Sequence, residues 1–104
     1  MSDKLIQQVK DKCNITWEDA DTNRRVEQII RSAIPDLKHR LGITDKDFDF
    51  AADGAENTLF LAYCLYEYNH ALNEFEDNYA KTIAQVRQRY EVAQYLESEG
   101  AESE

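Results

Sequence analysis

Residues that break helices are scarce in this chain, with three glycines and a single proline among 104 residues. Such residues punctuate turn-rich β proteins, and their scarcity beside 32% charged residues favours helices. No apolar run approaches the roughly 20 residues that span a bilayer, so no contact with a membrane is expected. The opening MSDKLIQQVKDK is polar and periodic and lacks the apolar centre of a secretory signal, which makes a cytosolic setting the expectation. The two cysteines, Cys13 and Cys64, form no C-x-x-C pair and are expected as reduced, partly buried thiols. Catalytic punctuation is missing as well. There is no G-x-S-x-G turn and no glycine-rich phosphate loop, and neither His39 nor His70 has an evident nucleophile beside it. An enzyme is not expected, and no cofactor is called for.

What the chain has is apolar content of 42%, aromatics at 11%, and acid. This composition is globular, and a chain of this length forms one domain that buries roughly 60–70% of its unfolded surface. The net charge of −9 is unevenly spread. Residues 1–40 carry eight bases against seven acids, residues 45–77 carry Lys46 against nine acids, and residues 97–104 add four more acids. Such a surface repels phosphates, so conventional binding of DNA or RNA is not expected.

The periodicity is helical along most of the chain. Leu5, Ile6 and Val9 mark a short first helix capped by Ser2 or Asp3, and ITWEDADTN reads as a loop whose Trp17 requires burial. A second helix, capped by Asp21 or Thr22, carries Val26, Ile29, Ile30, Ala33 and Ile34. A kink or restart is expected at Pro35, and Gly42 is placed as the residue that ends the helix. Residues 43–54 form an irregular acidic loop in which DFDF suggests a short strand or extended segment. From about 55 to 95 the apolar residues recur every three or four positions. They predict either one long aromatic-rich helix or two helices meeting near 77. The fold class expected is all-α, a small bundle of three to four helices. Residues 1–96 would form a single domain and 97–104 a disordered acidic tail.

Two metal sites suggest themselves. Cys64, Glu67, His70 and Glu74 fall in one stretch. On a continuous helix, however, Cys64 and His70 stand about 240° apart, and two ligands do not make a zinc site. The loop DKDFDFAADGAE offers a closer match, because Asp45, Asp47, Asp49, Asp53 and Glu56 occupy positions one, three, five, nine and twelve of an EF-hand. Against calcium, position six is Phe50 where the turn wants glycine, and no second loop exists. The competing expectation is a solvated acidic loop with Asp53 capping the next helix. A small calcium-binding module and an acidic DNA mimic that occupies a nucleic-acid-binding protein therefore stand as alternative functions.

Ten of the eleven aromatics lie in residues 48–95, and the segment 59–75 is apolar on three faces. It is either a central core helix or a helix shared with a neighbouring subunit. Candidate interface residues are Trp17, Phe48, Phe50, Tyr66, Tyr79, Tyr90 and Tyr95.

Over about residues 20–92 the chain resembles the small head–tail connector, or adaptor, proteins of long-tailed bacteriophages and prophages of Gram-positive hosts. The residues that carry the resemblance are Gly54 with Glu56, then Tyr63, Cys64, Tyr66, Glu67, Asn69, Ala71 and Phe75, then Arg87 and Tyr90, with IRSAIPDLKHRLGI upstream. His70 stands where that family commonly has asparagine. The resemblance implies an all-α structural subunit that assembles with itself into a ring, dodecameric in the virion, beneath the portal protein. The ring would extend the channel through which genome DNA passes without specific binding. It would also dock the next head-completion or tail protein. The setting implied is the host bacterial cytoplasm during assembly and then the virion.

Overall fold

The computed structural model describes residues 3–102, with side chains as far as Glu97. Four helices follow one another: α1 Asp3–Lys12, α2 Ala20–Leu41, α3 Ala55–Tyr68 and α4 Leu72–Glu102. No strand occurs among the described residues, so the expected small all-α bundle is what forms, and the DFDF segment is a loop with turns. Helices α2 and α3 lie side by side; α1 packs on one side of this pair and α4 on the other, without meeting α1.

Three of the helices end in the same way. Asn14, Gly42 and His70 take left-handed backbone angles, φ 59°, 73° and 57°. The following residue then donates its N–H back across the last turn: Ile15 to the Lys10 carbonyl, Ile43 to Lys38, and Ala71 to Tyr66, at 2.8–2.9 Å. This is a Schellman closure, which satisfies carbonyls that a helix end leaves without donors. Ile15 and Ile43 are themselves buried, which anchors each exit to the core.

This closure relocates the expected break. The long helical segment divides at residues 69–71, not near 77, because His70 turns the chain while NEFEDN continues inside α4. Several expected caps also move. Asp19, not Asp21 or Thr22, caps α2 and accepts from the Thr22 N–H at 3.4 Å. Gly54, not Asp53, precedes α3, and its φ of 151° is open only to glycine at low cost. Helix α2 runs through Pro35 without restarting. Its ring sits on the exposed face, while Val26, Ile30, Ala33, Leu37 and Leu41 are buried on the other and hold the axis together. Helix α4 continues through Glu102, so the tail expected to be disordered from 97 begins as helix; residues 103–104 lie outside the described ones.

Helix α3 accounts for the surplus of apolar faces. It packs against all three other helices, with Leu59, Phe60, Ala62, Tyr63 and Cys64 buried in one core. The segment is a central core helix, with Leu61, Leu65, Tyr66 and Tyr68 left partly exposed.

Candidate interaction surface

The acidic loop is built around its aromatics. Phe50 is 2% exposed. It stacks on Phe60 at 4.7 Å and meets Phe48 edge-on at 5.0 Å, which pins the loop to α3. Backbone carbonyls of the pinned segment are satisfied by amides from other elements: Asn57 donates to Phe50 at 2.8 Å and Gln8 to Ala51 at 3.1 Å. Two of the carboxylates turn inward on the loop itself. Asp45 accepts from the Asp47 N–H and Asp49 from the Ala51 N–H, both at 2.9 Å. These are turn-forming bonds. Glu56, the twelfth EF-hand position, faces α4 and accepts from the Tyr90 hydroxyl at 2.7 Å. Burial, together with the bond to Glu56, pushes the Tyr90 phenol up to about 12. Among the described residues no group of three or more His, Cys, Asp or Glu is arranged to hold a metal ion.

The Cys64–His70 stretch separates similarly. Cys64 is buried, and burial raises its thiol far above the usual 9.0, so it stays protonated. His70 lies in the turn beyond α3, at 3.1 Å from the Arg25 guanidinium, which makes its Nε2 the acceptor. Arg25 also donates to the Tyr68 carbonyl and lies 4.5 Å over the Tyr68 ring. One cation thus sits at the C-terminal end of α3, where the helix dipole favours it.

A polar chain ties three helices. The Tyr63 hydroxyl donates to Asp36 at 2.5 Å, Arg40 donates to Asp36 at 3.1 Å, and Arg40 donates to Glu76 at 2.8 Å. Partial burial works to raise the Asp36 pKa, but the Tyr63 and Arg40 hydrogen bonds and the nearby positive charge outweigh it. The carboxyl is held below the usual 3.8. Tyr63 moves the other way, upward from 10.0, through burial first and then its bond to Asp36. Sequence periodicity gives no sign of this chain, because Asp36 and Arg40 look like any exposed i, i+4 pair.

Most of the expected interface aromatics belong to the bundle. Tyr66, Phe75 and Tyr79 form a cluster with ring centroids 5.1–6.0 Å apart. Phe48, Tyr66, Tyr79 and Tyr90 are partly buried against the core, and Phe50 is inside it. Trp17, expected to be buried, is 49% exposed and donates to Thr22 Oγ1 at 3.2 Å. Tyr95 is 66% exposed, and beside it are Val92 at 50% and Leu96 at 60%. These three were only partly legible in the sequence. The signal is angular: Val92 falls about 240° round the axis from Val86, so it cannot share that residue's buried face.

The surface that stands open is therefore on α4. This helix lies against the bundle through Phe75, Tyr79, Ile83, Val86 and Tyr90. Gln94 then donates to the Gly42 carbonyl at 2.9 Å, at the end of α2. Tyr95, Leu96 and Glu97 beyond that point are exposed, and the molecule measures 56 × 28 × 19 Å. Its radius of gyration of 15.5 Å exceeds the about 13 Å of a compact chain this long. Gln85, Gln88, Arg89, Val92, Ala93 and Leu96 line a shallow groove along the outer side of this arm. Such a groove can receive an apolar helix or ridge, but it holds no constellation for chemistry. Comparison with protein-family models, curated proteins and solved structures found no match to this chain.

Proposed function

We propose that this chain is a structural virion protein, a head–tail connector subunit that joins a ring beneath the portal and works without catalysis. The observation that carries the reading is α4, which leaves Val92, Tyr95 and Leu96 uncovered and runs past its own bundle after Gln94. Exposed apolar residues on one continuous helix mark a surface that another component covers. The residues behind the family resemblance also work together. Gly54 supplies the special backbone angle before α3, Glu56 receives the hydroxyl of Tyr90, and Tyr63 and Tyr66 both meet the Phe75 ring edge-on. The motif is a packing motif, as a structural subunit requires.

In a closed ring each contact joins two different patches, so the arm of one copy would seat on another face of the next. The acids of 45–77 would keep DNA phosphates from adhering where that surface faces the channel. A calcium module fits the loop less well, since Glu56 is engaged by Tyr90 and Asp45 and Asp49 accept from backbone amides.

Substitution of Tyr66 or Tyr90 is a poor test, because both pack against the core and their loss would weaken the fold itself. Leu96→Glu, on the arm, leaves the core untouched. In the phage genome that encodes this chain, it is expected to yield DNA-filled heads without tails, or heads that leak DNA. Normal infectious particles from Leu96→Glu and from Val92→Glu alike would count against the proposal.

A further inference from the structure

A surface hollow between α2 and the end of α3 is lined by Arg25, Gln28, Ile29 and Ser32 from α2 and by Glu67 and His70. The imidazole of His70 thus shares one hollow with a guanidinium and a carboxylate, and its proton decides which of them it can bond. A neutral ring has one bare nitrogen and can accept from arginine. A protonated ring has two donors and suits only the carboxylate. Nε2 lies 3.1 Å from the Arg25 guanidinium. The ring is therefore neutral as it stands, and its one proton is on Nδ1.

We infer that His70 is a proton-operated latch between α2 and the α3–α4 turn, accepting from Arg25 when neutral and turning to Glu67 when protonated. Histidine is the side chain that changes charge between about pH 5 and 8, so the exchange needs no extreme condition. Neither end of the exchange is left stranded. Arg25 keeps the Tyr68 carbonyl as an acceptor and the Tyr68 ring, 4.5 Å from its guanidinium. The turn keeps its backbone closure, with the His70 N–H on the Glu67 carbonyl at 3.0 Å and the Ala71 N–H on Tyr66 at 2.8 Å. What opens is the side-chain tie between α2 and the turn. Other charged groups nearby are engaged elsewhere or silent. Arg24 on α2 pairs with Asp21 at 3.2 Å. Glu74, in the first turn of α4, lines a different hollow with Leu65, Tyr66, Asn69 and Ala71. At the end of α1, burial lifts the Cys13 thiol above the usual 9.0 against the pull of Lys12 and Arg25, so it stays neutral over this range. The inference concerns the single chain and stands apart from the connector reading.

The test is a nuclear magnetic resonance titration of the full chain that reads the imidazole nitrogens, with the His70 signal identified by its loss in His70→Asn. At about pH 8 the His70 ring is expected with Nδ1 protonated and Nε2 bare. As the pH falls to about 5, the Arg25 Nε–H resonance should move with the same midpoint as the ring. Glu67→Gln should lower that midpoint and Arg25→Gln should raise it, each by about 0.3 pH unit, as befits a pair open to solvent. The two wild-type readings stand by themselves if Arg25→Gln loosens the end of α3. A ring protonated on Nε2 at pH 8 would overturn the inference. So would an Arg25 resonance indifferent to the proton on the ring, or a midpoint that Glu67→Gln leaves in place or raises.

Discussion

Asn14, Gly42 and His70 share one backbone conformation although they share no chemistry, and this explains a residue that composition made conspicuous. His70 sits at the left-handed closing position of α3, φ 57°, where asparagine and glycine are the usual occupants. His70→Asn should therefore leave stability within about 0.5 kcal/mol, while His70→Val should lose about 1–2 kcal/mol through its branched Cβ; urea denaturation separates the two. Asp36 gives a pH signature. Its folded-state pKa lies below 3.8, so its contribution is present above the unfolded value and is lost as pH falls through the folded one. The gap in urea midpoint between wild type and Asp36→Asn should be steady near neutrality and close as the pH drops below 3.8. A gap unchanged down to strong acid would mean that Tyr63 and Arg40 do not hold the charged form.

Among the elements, what was legible in the sequence followed the 3.6-residue period, and what was not depended on backbone angles and cross-chain contacts. The stripes Val26–Ile30–Ala33–Leu37–Leu41 and Phe75–Tyr79–Val86–Tyr90 could be read directly, because burial on one face imposes them. The exit at Gly42 was legible from the glycine. The exit at His70 was not, since histidine carries no turn preference comparable to glycine's. The neutral look of Asp19 and the exposure of Trp17 depend on how a loop folds back, which periodicity does not encode. Pro35 misled in the opposite direction. A proline inside a helix lacks the N–H, but burial along the opposite face of α2 outweighs that loss. Pro35→Ala should then stabilise the chain by about 1 kcal/mol, less than the full helix-interior cost because alanine also frees the unfolded chain. A thermal melt that moves downward would show that the proline geometry is itself needed.

At the scale of the molecule, bundle and arm are separable in stability. The last hydrogen bond from α4 to the rest of the described bundle is made by Gln94. A chain ending at Leu96 should therefore keep its unfolding free energy within about 0.5 kcal/mol. The open site was only partly legible, because the helical angle sets Val92 off the Val86 face but does not say whether another helix covers it. The proposed connector role requires that this arm serve assembly around a portal. The most direct measurement is electron microscopy of the purified protein mixed with the portal protein encoded in the same genome. A second ring of density, stacked on the portal and lost with Leu96→Glu, is the predicted result. Portal rings that stay bare at every ratio of the wild-type chain would contradict it.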